Sequence, residues 1–304
     1  MRKEFSTWIE GFSRRESRFI FLTGDLGFSA LENVQGAMQS RFINMGVCEQ
    51  NMVSVAAGLA QQGLIPLCYS IASFAVFRPY EQIRLDVALH ALNVKIAGNG
   101  GGYGYGIMGA SHHAIEDIAA LSALQNFSCF IPICNSDIPG ACEALFDDHR
   151  PSYLRLGYGL WPDGIGELPA FDAVRKLSGR YACSPKVTLL GLGPVILNAL
   201  PWILNEPAVE VFAVSKIPLP QLPEDFVASV VASGVLWVIE EHVARGGLAE
   251  HVAAELAKLG VRFRLRHTCA VGYPDGLYGS QNYHQTRSGM DPESLKSTFR
   301  QLLS

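Results

Sequence analysis

Glu49 is the residue of this chain best placed to do chemistry, because of what surrounds it. It lies in Met45-Gly-Val-Cys-Glu-Gln-Asn-Met52, between the apolar pair Phe42-Ile43 and a run of small and apolar residues ending near Gln61. From Val47 to Gln61 these positions recur at helical spacing, so Glu49 shares a face with Val53, Ala56 or Ala57, and Ala60. Two readings stand side by side. A first-turn acid favours the positive end of the helix dipole and needs no further role. A carboxyl whose pKa is raised by apolar surroundings could instead hold a proton near neutral pH and hand it to a bound group.

Other stretches supply candidate neighbours. Gly24-Asp25-Leu26 ends the apolar run Arg18 to Thr23, which puts Asp25 at the carboxyl edge of a sheet, where open α/β sheets bind ligands; an isolated Asp also caps turns. Ile71, Phe74 and Phe77 repeat every three residues and lie along one side of a helical turn, either as core or as the wall of a cleft. The glycine-dense segment Gly98 to Gly109 formally contains a dinucleotide fingerprint at Gly104, Gly106 and Gly109. It begins several residues after its strand and has no acidic partner further on, so it is read as a loop that lets backbone approach a ligand or simply moves. Ser111-His112-His113 follows at the expected start of a helix. Adjacent histidines point away from each other and no third ligand is spaced to help, which suits proton handling or hydroxyl donation and not a metal site.

Strands must hold these residues. Apolar runs at Arg18–Thr23, Phe42–Ile43, Leu64–Tyr69, Asn93–Gly98 and Phe127–Cys134 alternate with helical patterns, which calls for a parallel sheet. Residues 161–184 are rich in Gly, Pro and Asp and read as a linker between a first domain, 1–160, and a smaller α/β domain, 185–304, that restarts the alternation at Lys186. The 304 residues are 49% hydrophobic and 17% charged, the balance of strands covered on both faces or of an oligomer. A net charge of -4 gives no basic footprint, which argues against nucleic acid or an anionic membrane as partner. Seven scattered cysteines, the absence of a signal-like start and the lack of a bilayer-length apolar segment point to a reduced, cytoplasmic protein.

In this order and spacing the pieces resemble the C-terminal half of transketolase, and in particular the separate second subunit of bacterial transketolases split into two chains. The matching segments are Arg2-Lys3, Gly24-Asp25-Leu26 with Ser29, Gly46-Val-Cys-Glu49-Gln, Ser73-Phe74 to Ile83, Ser111-His112-His113-Ala-Ile-Glu-Asp, Tyr153-Leu-Arg155, Glu240-Glu-His-Val-Ala-Arg-Gly-Gly-Leu-Ala-Glu and the tail from Tyr278 to Asp291. The resemblance covers almost the whole chain. It implies a pyrimidine-binding domain followed by a transketolase C-terminal domain, thiamine diphosphate as cofactor, and transfer of a two-carbon ketol unit from a ketose, as a sugar phosphate, to an aldose. It implies that Glu49 donates a hydrogen bond to N1' of the aminopyrimidine, with the cofactor as electron sink. By the same matching Phe74 and Phe77 pack on that ring with Ile71 beside them, and Asp25 and Leu26 lie near the cofactor. Arg2, Ser29, His112 and Arg155 would line the substrate channel, the arginines gripping phosphate and His112 holding a sugar hydroxyl or assisting proton transfer.

The chain departs from the pattern at the sugar end. Ile107 and Met108 stand where the family carries a sugar-reading Asp, and Asn99 with glycines stands where it carries a channel His, so an atypical sugar is expected. No Gly-Asp-Gly segment is followed some thirty residues on by Asn, the family's means of holding Mg2+ and the diphosphate. The implied arrangement is a partner subunit with the diphosphate-binding domain and its Mg2+, in an α2β2 heterotetramer. The β subunit of a 2-oxoacid dehydrogenase E1 component shares the Cys-Glu-Gln segment and is the alternative enzyme; a non-catalytic regulatory subunit is the alternative of another kind.

Overall fold

The computed structural model describes residues 1–27, 30–177, 185–219 and 221–304. Its strands are β1 (Phe19–Thr23), β2 (Phe42–Asn44), β3 (Ile65–Ile71), β4 (Lys95–Asn99), β5 (Ser128–Phe130), β6 (Ser152–Leu156), β7 (Val174–Lys176), β8 (Val187–Leu192), β9 (Val209–Val214), β10 (Lys216–Ile217), β11 (Val235–Glu240) and β12 (Arg264–Cys269). They form two sheets, of order β10-β5-β6-β4-β3-β1-β2 and β12-β11-β8-β9-β7. All pairs are parallel except β10 with β5 and β7 with β9, both at sheet edges. The chain is thus an α/β protein with two mostly parallel sheets, as the alternation of strands and helices predicts. β3, β6 and β9 are buried at every position, the pattern of strands covered on both faces.

The order of the first sheet sets the site. From β1 the chain goes to β2 on one side, and the helix Glu49–Gln61 then carries it across to β3, which pairs with β1 on the other side. The order reverses at β1, and the crevice outside the carboxyl ends of β1 and β3 is the place where such sheets bind ligands. Glu49 is the first residue of the crossing helix and therefore arrives at that crevice.

The two sheets share one apolar layer. Ile118, Leu121 and Cys129 from the first sheet's side and Leu190, Leu192, Phe212 and Val214 from the second belong to a single buried cluster. Two features that the sequence does not signal join the halves. β7 lies inside the stretch 161–184 read as linker, and its Arg175 makes a fork of 2.8 and 2.7 Å onto Asp137 of the first half. β10 leaves the second half to pair with β5. Neither three-residue β7 nor two-residue β10 has a pattern long enough to read. The stretch after the glycine loop also differs from expectation: Ser111-His112-His113 forms turns, and the helix begins only at Asp117.

The motif Glu240-Glu-His242 faces inward. Glu240 accepts from the amides of Leu248 and Ala249 at 2.7 and 3.1 Å, satisfying the start of the helix Leu248–Lys258. Glu241 accepts from the Tyr103 amide at 2.7 Å and from Gln281 and Gln285, and burial pushes its carboxyl above the usual range. His242 Nε2 accepts from the Ala119 amide at 3.2 Å. Glu241 and His242 are thus buried joints between the halves, while Glu240 braces the second half alone.

Candidate active site

The Glu49 side chain is 2% exposed, and its shell is only partly apolar. Met52, Val53 and Ala56 bury the helix face behind it, as the spacing predicts. In front, the Ser70 hydroxyl donates to Oε1 at 3.0 Å, and Arg78 Nη1 donates to Oε2 at 2.9 Å and to Oε1 at 3.2 Å. The loop after β1 closes on the same group, since a Cβ at Gly24 would stand 3.4 Å from Ser70 Oγ and 3.5 Å from Glu49 Oε1.

Arg78 links this carboxylate to the aromatic residues. Its guanidinium carbon sits 3.7 Å from the centroid of the half-buried Phe74 ring. The His112 imidazole lies 5.0 Å from Phe74 and shares a hydrogen bond with Ser111 Oγ at 2.9 Å. Tyr105 follows 5.6 Å from His112, and its hydroxyl accepts from the Asn99 amide at 2.9 Å. Glu49, Arg78, Phe74, His112, Tyr105 and Asn99 therefore form one continuous line of contacts along the carboxyl edge of the sheet. Of the predicted residues, Glu49, Phe74 and His112 belong to it. Ile71 is 7% exposed and caps the start of the Phe74 turn, while Phe77, three residues on, presents 41% of its surface to solvent.

The others lie elsewhere. Asp25 is exposed, has φ +58°, and accepts from the Asn44 side chain at 2.7 Å. With Leu26, whose backbone is tied to the Thr23 hydroxyl, it lines a cleft of about 210 Å³ between β2 and the helix Glu32–Met38 that precedes it, shared with Glu32, Gln35 and Phe42. Arg2 opens the first helix and lines a broader groove with Lys3, Ser6, Thr7 and Asn33. Ser29 lies outside the described residues. Arg155 differs most from expectation. It is 5% exposed, pairs through Nε with Asp117 at 3.1 Å, and donates to the carbonyls of Ala114 and Glu241. Its guanidinium is enclosed among the groups that join the halves. His113 is likewise committed: Nε2–H donates to Gly106 O, and Nδ1 accepts from the Tyr273 hydroxyl, both at 2.8 Å.

Ser70, Arg78 and Tyr105 also stand along this line, and the sequence does not single them out; Asn99 takes the place noted for the family's channel His. Arg78 carries a usable signal, because it follows Phe74 by four residues and so shares its side of a helical run. Among the described residues no three His, Cys, Asp or Glu side chains gather as a metal site, and no helix is long and apolar enough to cross a membrane.

A mostly parallel α/β fold with a buried carboxyl at its switch point is the arrangement of proteins that bind ligands at the carboxyl edge of the sheet. The family model described as "Transketolase, pyrimidine binding domain" matches residues 1–162, and the chain belongs to that family. It is 26% identical over 303 residues to one of the subunits of the apulose-4-phosphate transketolase of Phocaeicola vulgatus, covering 98% of this chain and 95% of that one. It is 30% identical over 308 residues to 1-deoxy-D-xylulose-5-phosphate synthase of Myxococcus xanthus, covering 99% of this chain but about half, 51%, of the relative. Among solved structures, one titled "Split gene transketolase, inactive beta4 tetramer" matches with a TM-score of 0.81 at 26% identity over 99% of this chain and 97% of that chain.

Proposed function

We propose that this chain is the pyrimidine-half subunit of a two-chain, thiamine-diphosphate-dependent transketolase, which moves a two-carbon ketol unit from a ketose phosphate to an aldose in the cytoplasm. The observation that carries the reading is the buried Glu49 carboxyl facing the Phe74 ring at the switch point of the sheet. The Arg78 guanidinium, itself flat and rich in N–H groups, fits between them, so the space suits a planar ring with polar edges. The cofactor supplies a carbanion-stabilising centre when bound. Glu49 would hold its pyrimidine nitrogen, Ile71, Phe74 and Phe77 would bound the ring, and Asp25 and Leu26 would edge it. His112, with Ser111 fixing one ring nitrogen, would hold a sugar hydroxyl or a proton. Arg2 and Ser29 remain proposed for the sugar phosphate; Arg155 is proposed as a joint between the units 1–160 and 185–304, with 161–184 connecting them.

The partner is proposed from a relative named as one subunit of a transketolase, 95% of which this chain covers. A second polypeptide, in an α2β2 assembly, would then carry the diphosphate-binding half and its Mg2+. The solved relative titled an inactive tetramer of β chains supports the expectation that copies of this chain alone lack turnover.

The experiment is Glu49→Gln in the complex reconstituted with the partner. Turnover of a ketose phosphate falls by roughly 10²-fold or more, the range of a lost general acid–base group, with unchanged folding; wild-type activity in the variant refutes the assignment. The shared Cys-Glu-Gln segment supports one rival, the 2-oxoacid chemistry of a dehydrogenase E1 β subunit. Carbon dioxide released from a 2-oxoacid, without ketose cleavage, would favour it.

A further inference from the structure

Arg78 has no part in the reaction just proposed, yet it holds the two groups assigned to the pyrimidine. Its Nη1 lies 2.9 and 3.2 Å from the Glu49 oxygens, and its guanidinium plane carbon lies 3.7 Å from the Phe74 centroid. A hydrogen bond to Glu49 and a face against Phe74 are the two contacts assigned above to the aminopyrimidine ring. Both cannot be made twice in the same space. The side chain is also able to leave: it is 39% exposed, it follows the last residue of the helical turn Ala72–Phe77, and its long stem can carry the charge into solvent.

We propose that Arg78 is an internal stand-in for the cofactor ring, which plugs the pyrimidine site of the empty chain and must turn outward before the ring enters. The inference rests on the reading of Glu49 and Phe74 as the pyrimidine site. The plug has a chemical reason. A buried carboxylate at a sheet edge, with only the Ser70 hydroxyl as a further donor among the described residues, would be left short of partners in the empty subunit. Arg78 satisfies it and covers the aromatic face until the ring replaces both contacts.

The test is calorimetric titration of thiamine diphosphate, with magnesium, into the complex of this chain with its partner, comparing wild type with Arg78→Met and Arg78→Lys. Arg78→Met, which keeps the stem and removes the charged plane, is expected to bind about tenfold more tightly, equivalent to ~1.4 kcal/mol, the combined scale of a half-exposed ion pair and a cation–π contact. Arg78→Lys, which keeps charge but cannot stack a plane, falls between them. Weaker binding by a folded Arg78→Met protein would make Arg78 a support for the bound ring and overturn the plug, as would equal affinity in all three. Should Arg78→Met fail to fold, the Lys variant decides by the same sign. Absence of binding by all three proteins refutes the cofactor reading together with the plug, whereas binding with the wrong order refutes the plug alone.

Discussion

Arg155→Met separates a structural arginine from a phosphate-gripping one. In the wild type the guanidinium sits at 5% exposure, with Asp117 at 3.1 Å and the carbonyls of Ala114 and Glu241 as further acceptors. Asp117 is fully buried; its Oδ2 also accepts from the Tyr153 hydroxyl at 2.8 Å, while its Oδ1 has no hydrogen-bond donor. Methionine fills much of the stem's volume but strands the Asp117 charge and leaves two buried carbonyls short of a donor. Removing one partner of such a pair costs about 3–5 kcal/mol. For folding units of this size each kcal/mol lowers the melting temperature by about 2–4 °C, so the midpoint should fall by at least about 6 °C. Thermal and urea unfolding measure the loss. The double variant Arg155→Met/Asp117→Asn should recover part of it, because the stranded charge is gone. In folded protein at low temperature the KM for a sugar phosphate should be near wild type. A loss under about 1 kcal/mol together with a many-fold rise in that KM would return Arg155 to the substrate channel and refute the reasoning.

Two further outcomes follow from buried geometry. Gly98→Ala places a Cβ 2.7 Å from the Tyr153 ring and 2.8 Å from the Ala72 backbone, so the start of the Phe74 turn must shift; a stability loss of about 1–3 kcal/mol and weaker thiamine diphosphate binding are expected by calorimetry. His242 is fully buried and neutral, with Nδ1–H donating to Val243 O at 2.7 Å and Nε2 accepting from Ala119, and burial lowers its pKa. Its unfolded form, with a pKa near ~6.5, binds more protons than the folded form below that value. Stability is thus full above about pH 6.5 and falls as pH drops through it, by up to ~1.4 kcal/mol per unit from this residue. Urea midpoints from pH 7.5 to 5.5 should fall less steeply in His242→Gln, and an unchanged slope would count against the buried neutral imidazole.

The contrast between Arg155 and Arg78 shows where the sequence stops informing. Each is a basic residue beside an apolar run, and in sequence each has only its immediate neighbours to speak for it. Tyr153-Leu-Arg155 reads as a strand ending in a charge, which suggests an exposed end. What encloses Arg155 is the Glu241 carbonyl, 86 residues away along the chain and delivered by packing of the second sheet. Arg78 shares a side with Phe74 by helical spacing, but its acceptor lies 29 residues earlier. His112 reads as a helix start and lies in a turn, because the chain between the glycine loop and Asp117 is shaped by contacts such as His113 with Gly106 and Tyr273.

By itself the sequence determined the alternation of strands and helices, the burial of Glu49 on an apolar helix face, and the helical turn that carries Phe74 and Phe77, although Ile71, expected on that turn, ends β3. These depend on periods of two and 3.6 residues and are therefore written locally. Only the tertiary structure decided which charges meet. The reversal of strand order at β1 brings Gly24, Ser70 and the Glu49 helix to one crevice, and the shared apolar layer turns Arg155, Glu241 and His242 into buried joints. Ion pairing and burial are set by distance in space, and a one-dimensional pattern carries that distance only where neighbours in space are also neighbours along the chain.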